Sequence, residues 1–209
     1  MQNDVWTDWE NHYRISGIDP GSICKDGPID EVSYRNAHPK ILFVLREVNN
    51  YRGGNLKDYL ADGPKYPIWF AVARWAAGLL NDFPPFQEII KPRILKDSIR
   101  KTAIINLKKA SGGPQADPQE VNLYAYRDRQ LLRQQVDLIA PEIVVACGTF
   151  DTIVWLLELD INPLDLKNKV YTVGPKNWIV INWRHPTRAN MRETYQELSN
   201  LWRILRSKG

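Results

Sequence analysis

Short, uninterrupted apolar runs constrain this chain more than any other feature. ILFVL at Ile41 to Leu45, IVVAC at Ile143 to Cys147 and WIVI at Trp178 to Ile181 have no polar residue at alternate positions. A strand with one wet face alternates; a run that does not alternate belongs to a strand covered on both faces. Ala103 to Asn106 and Val170 to Val173 are two further strands, the first of them also buried. Helical patterns lie between them, and strands alternating with helices close into a central, mainly parallel sheet with helices on both sides. The expected fold is therefore α/β, a three-layer α/β/α sandwich with a central, mainly parallel sheet of four to five strands.

The intervening segments supply the helices. Val5 to Arg14 places Trp6, Trp9 and Tyr13 at helical spacing, as expected of an amphipathic helix docked on the core. A stretch rich in Gly, Pro and Asp follows as irregular chain up to His38. Tyr66 to Leu80 is a strongly apolar helix stopped by NDFPP. Asp117 caps a helix, Pro118 takes its first position and Glu120 closes a capping box, so that the helix runs to Ile139 and Pro141 ends it. Gly148 and Thr149 turn into a helix through Leu157, and the last helix follows HPTRAN with Leu198, Leu201, Trp202 and Leu205 on one stripe.

The 209 residues, 44% of them hydrophobic, suffice for one substantial core, and no linker or repeat divides them; residues 1 to 209 are expected to be one domain. No apolar stretch approaches a membrane span and no charged-then-apolar leader opens the chain, so a cytoplasmic protein without a membrane partner is expected, working as a monomer. Cys24 and Cys147 are far apart and lack a CxxC or Cys/His companion. That excludes an ordinary zinc or iron–sulfur site built on cysteine and leaves two free thiols; no metal and no cofactor are expected. The net charge of +4, from 28 Lys and Arg against 24 Asp and Glu, does not by itself mark a polyanion-binding surface.

In open α/β sheets, ligands bind at the carboxyl ends of the strands. The loops after the first, second and last strands hold Glu47, Asn106 and His185. A strand-end carboxylate such as Glu47 can hold a water, or pair with a neighbour such as Arg46. An amide such as Asn106 both donates and accepts, which suits it to a heterocycle's edge or to capping the next turn. A histidine such as His185 can donate to an oxygen gaining charge, or simply satisfy its own loop. His12 and His38 have no comparable setting and are read as structural.

The order of these segments over residues 41 to 202 resembles the uracil-DNA glycosylase superfamily. ILFVLREVNN is similar to that family's first strand and motif, close to GEAPG in its iron–sulfur branch, with Glu47 on the catalytic glutamate. TAIINLKKASGG resembles YITNVVKCRPP, with Asn106 on the base-reading asparagine and Lys109 on a lysine. LLRQQVDLIAPEIVVACGTFDTIVWLL is similar to the helix–strand–helix core, and WRHPTRAN to the HPS-type loop, with His185 and Pro186 on its first two positions. Asn49 and Asn50 stand where the related branch has Pro-Gly, and the cluster cysteines are missing.

The resemblance implies a monofunctional DNA glycosylase that flips a non-standard pyrimidine out of DNA and hydrolyses its N-glycosidic bond, leaving an abasic site. Glu47 or its neighbour Asn49 would hold the water and His185 would stabilise the leaving base. Asn106, Asn50 and a stacked Tyr51 would bind the base. Lys108, Lys109, Arg184, Arg188 and Arg192 would meet the DNA backbone, with Arg188 as wedge or phosphate clamp. The altered REVNNYRGG loop favours a bulky modified cytosine of phage DNA, as in antiviral defence. Uracil excision in repair is the alternative substrate, and a catalytically silent nucleic-acid-binding module is the alternative class.

Overall fold

The computed structural model describes residues 2–50, 53–161, 169–173, 178–187 and 189–207, with only the backbone for residues 2–4. The chain begins with helix α1 (Gln2–Ile15), a 3-10 turn at Pro20–Ser22, two-residue strands β1 (Cys24–Lys25) and β2 (Gly27–Pro28), and helix α2 (Glu31–Arg35). Strand β3 (Ile41–Leu45), strand β4 (Gly54–Asn55), and helices α3 (Leu56–Leu60), α4 (Pro67–Leu80), α5 (Phe86–Ile89) and α6 (Pro92–Arg100) follow. Then come β5 (Thr102–Asn106), α7 (Pro118–Arg127), α8 (Arg129–Ile139), β6 (Ile143–Cys147), α9 (Phe150–Leu156), β7 (Val170–Val173), β8 (Trp178–Trp183) and α10 (Met191–Arg206).

The main sheet has six strands in the order β2-β5-β3-β6-β8-β7, and β1 pairs with β4 apart from it. The four central strands β5, β3, β6 and β8 are parallel, and β2 and β7 close the two edges antiparallel. The four- to five-strand expectation thus misses one edge strand, β2. Gly27–Pro28 offers no apolar run, and only its pairing with Ile104 and Ala103 makes it a strand. Pro28 is tolerated because an edge strand has one side without ladder partners.

Both faces of the sheet are covered, as the non-alternating runs require. Ile41, Phe43, Leu45, Val145 and Cys147 face a core built with α4, α6 and α10. Leu42, Val44, Ile105, Val144 and Val180 face a second core built with α1, α7, α8 and α9. Trp9 and Tyr13 fix α1 in that second core, in a T-shaped pair with centroids 5.8 Å apart. On the other face Trp75 of α4 meets Trp183 edge-on at 5.9 Å and donates its Nε1 hydrogen to Thr194 Oγ1 of α10.

The long helix expected from Asp117 to Ile139 is two helices, separated at Asp128. Asp128 is buried and its carboxylate accepts from Arg127 and Tyr13 and meets His12 Nε2 at 2.9 Å, so the backbone breaks to turn this acid inward. The capping box is also incomplete. Asp117 accepts from Gln119 N, but the Glu120 carboxylate lies 3.0 Å from Lys108 Nζ instead of returning to the cap. At the last helix, Asn190 of HPTRAN accepts from Glu193 N and caps α10. No helix among the described residues is long and apolar enough to cross a membrane.

Candidate active site

The chain leaves β3 toward β5 on one side and continues from β6 to β8 on the other, so the strand order reverses between β3 and β6. A crevice outside the carboxyl ends of strands at such a reversal is where doubly wound sheets bind ligands. A cavity of about 330 Å3 lies there, lined by Arg46 just past β3, Gly148 and Thr149 just past β6, Asn182 of β8, and Asn122, Asp151 and Thr152 from α7 and α9. Leu107, Val121 and Phe150 supply apolar walls.

Gly148 organises one side of this crevice. Its N–H bonds Trp183 O at 2.7 Å, its carbonyl accepts from Arg46 Nε at 3.3 Å, and Thr149 Oγ1 bonds Val44 O at 3.0 Å. Gly148 has φ +68, and a Cβ there would sit 3.3 Å from Arg46 Nη2 and 3.4 Å from His185 Cβ. Glycine fits both requirements, the left-handed backbone and the close approach. Arg46 and His185 therefore both pack against Gly148.

His185 is half-buried, and its Nδ1 receives the N–H of Thr187 at 3.3 Å and lies 2.8 Å from Thr187 Oγ1. A backbone N–H only donates, so Nδ1 is an acceptor and the ring proton resides on Nε2. Burial, then the Arg46 guanidinium, push the imidazole down to about 4. His185 is thus a neutral ring with one N–H donor.

Glu47 lies inside, not at an open strand end. Its carboxylate is 2.8 Å from Lys108 Nζ, with the two side chains 1% and 3% exposed. Lys108 also pairs with Glu120 at 3.0 Å and lies 5.0 Å from the centre of the Tyr124 ring. Burial opposes the lysine's charge, but the two carboxylates outweigh it and its pKa is raised. The Glu47 carboxylate rests on Gly112, where a Cβ would fall 2.1 Å from Oε1. Hydrogen bonds from Gly112 N to Val48 O and from Asn50 N to Gly112 O hold the two loops together.

Asn106 belongs to a second buried network. Its backbone N–H and Nδ2 both donate to Asp26 Oδ2, at 2.7 and 3.3 Å, and Oδ1 has no protein partner among the described residues. Asp26 Oδ1 accepts from Lys109 Nζ at 2.7 Å and from Gln135 Nε2 at 2.9 Å. Lys109 is 0% exposed, with its ammonium 5.3 Å from the centre of the Trp9 ring, and burial lowers its pKa.

Two of the expected DNA contacts are corrected by this placement. Lys109 is enclosed and Lys108 is held by Glu47 and Glu120, so neither presents a charge to a phosphate. Arg184 is partly exposed but pairs with Glu197 and lies over the Trp183 ring, and Arg192 is exposed over Phe86. Asn49 is exposed and its Nδ2 donates to Pro114 O at 3.1 Å, turning its Oδ1 away from that contact. Asn50 is exposed with φ +52. Tyr51 and Arg188 lie outside the described residues.

The structure thus places Arg46 and Gly148 in the crevice with His185 packed against Gly148, Glu47 and Lys108 in a buried pair, and Asn106 with Asp26 in a separate network. Sequence reasoning missed Arg46, Asp151, Asn122 and Asn182 as lining groups, and Asp26 as the partner of Asn106 and Lys109. The available signal was position: Arg46 and Gly148 are the first residues beyond β3 and β6. Among the described residues no group of three His, Cys, Asp or Glu side chains is placed to hold a metal ion. Cys24 and Cys147 are buried thiols not joined in a disulfide, and burial pushes both up, Cys24 to about 11.

The chain was compared with protein-family models and with curated proteins, and it matches none of them.

Proposed function

We propose that this protein is a monofunctional DNA glycosylase with a uracil-DNA-glycosylase-like fold, acting on a non-standard pyrimidine extruded from DNA. The observation that carries this reading is His185, a neutral imidazole whose only N–H is on Nε2, packed against Gly148 at the rim of the crevice where the strand order reverses. Hydrolysis forms a bond from a water oxygen to C1′ of the sugar and breaks the C1′–N bond, so the base departs with its electron pair and takes up a proton. A neutral donor aimed at the base carbonyl stabilises that developing charge without protonating the base first.

Asn49 is the better candidate to orient the water, because its Nδ2 is engaged with Pro114 O and its Oδ1 is left as an acceptor on an exposed loop. Glu47 acts as a positioning residue, holding the Arg46 to Gly112 loops through Lys108. Ion pairing of both Lys108 and Lys109 supports water rather than a lysine amine as the nucleophile. Exposed Arg192 and partly exposed Arg184 flank His185 in sequence and are the remaining described candidates for phosphate contacts.

The preferred substrate is a bulky modified cytosine of viral DNA, with uracil as the alternative. Incubating the protein with oligonucleotides carrying uracil, 5-hydroxymethylcytosine or its glucosylated form, then treating with alkali, tests this reading. A strand break at the altered base supports excision and names the substrate. Intact strands in every case leave a non-catalytic nucleic-acid-binding module.

A further inference from the structure

The crevice beside His185 offers a set of groups for base recognition that differs from the asparagine anticipated at position 106. Arg46 spends its Nε on Gly148 O, leaving the two Nη groups as donors. The Asn122 carbonyl oxygen accepts from Thr152 Oγ1 at 2.8 Å, which leaves its Nδ2 as a second donor. Asp151 is exposed and lines the same cavity, and its ionised carboxylate can only accept. The cavity volume of about 330 Å3 lies within the range of small-ligand sites and leaves room for a substituted pyrimidine. Val121 and Phe150 give that ring apolar contact.

We propose that this cavity reads the pairing edge of an extruded cytosine-type base, Asp151 accepting from the exocyclic amino group and Arg46 donating to the ring carbonyl. The inference rests on the glycosylase reading for why a base enters, but the chemistry of selection is separate from bond cleavage. A uracil-type base presents a carbonyl where cytosine presents the amino group. Placed against a carboxylate, two acceptors would face each other with no proton between them. A site that pairs a polar group disfavours the analogue that cannot pair, and because Asp151 is exposed and keeps water as a substitute partner the preference is modest. Asp151→Asn restores a donor at that point and should remove or invert the preference.

The test uses the full chain and nuclear magnetic resonance titration with two free nucleosides, 5-hydroxymethyl-2′-deoxycytidine and 5-hydroxymethyl-2′-deoxyuridine. The expected result is binding of the cytidine roughly tenfold more tightly, with the amide shifts centred on Arg46, Gly148 and Asp151. In Asp151→Asn the ratio should fall to parity or reverse, and in Arg46→Gln both nucleosides should weaken. Equal binding by the wild type, preference for the uridine, an unchanged ratio in Asp151→Asn, or no shifts at the cavity at millimolar nucleoside would each overturn the inference. Base selection without cleavage of any oligonucleotide would defeat the glycosylase reading while leaving this one standing. Excision without base selection at the cavity would do the reverse.

Discussion

Glu47 and Lys108 form an ion pair 2.8 Å long, almost wholly shielded from water, at the point where the loops after β3 and β5 meet. Removing one partner of a buried pair leaves an uncompensated charge, whereas removing both at once does not. Lys108 keeps the half-exposed Glu120 when Glu47 is neutralised, so Glu47→Gln is expected to lower stability in urea unfolding by about 1 to 3 kcal/mol, less than for a buried charge left wholly unpaired. Lys108→Met combined with Glu47→Gln should recover part of that loss. If Glu47→Gln kept full stability and still abolished excision, Glu47 would be acting in the chemistry and not as a positioning residue.

Gly112→Ala tests the same junction from its other side. A Cβ there meets the Glu47 carboxylate at 2.1 Å, and the loop is tied by the Gly112 N to Val48 O bond. Overpacking of this kind costs about 1 to 3 kcal/mol. A thermal melt unchanged by Gly112→Ala would show that the carboxylate yields easily and that the junction is loose.

Lys109 separates core function from DNA contact. It lies buried against Asp26, so Lys109→Met is expected to change stability without changing the salt dependence of DNA binding. Arg192→Ala should show the reverse, with stability kept and the slope of log affinity against log salt reduced by roughly one contact. A shallower salt slope for Lys109→Met would place its ammonium on the DNA after all.

His185 should remain neutral down to about pH 4, against an ordinary value of 6.5. Because the folded value is the lower one, the unfolded chain binds more protons between those two values. The histidine's contribution is then fully present above pH 6.5 and is lost as pH falls toward 4. Ring-proton resonances of His185 followed over pH check this directly. Arg46→Gln should move the midpoint upward but only part of the way, since burial is the larger cause.

The central strands were legible because an unbroken apolar run has few other uses, and β3, β5 and β6 lie where those runs are. The edge strand β2 was not, because Gly27–Pro28 carries no such signal and exists through its neighbour. The two helices on either side of Asp128 looked like one because a break made by a buried carboxylate and its partners leaves the apolar spacing intact. Site residues were legible as positions and not as partners. Lys108 and Lys109 are adjacent, yet one turns to Glu47 and Glu120 and the other to Asp26, and only the packing of α1, α7 and α8 decides which. Asn106 does end its strand, but Asp26 arrives from a segment read as irregular and takes up its amide.

Release of a free base from DNA is the most direct test of the central claim that His185 drives base excision. Oligonucleotides bearing the candidate bases are incubated with the wild type and with His185→Ala, and the supernatant is examined by mass spectrometry. The account predicts a free modified pyrimidine and a matching abasic strand with the wild type, and a loss of about 100-fold or more in rate with His185→Ala. No free base from any substrate, or undiminished release by a folded His185→Ala, would contradict it.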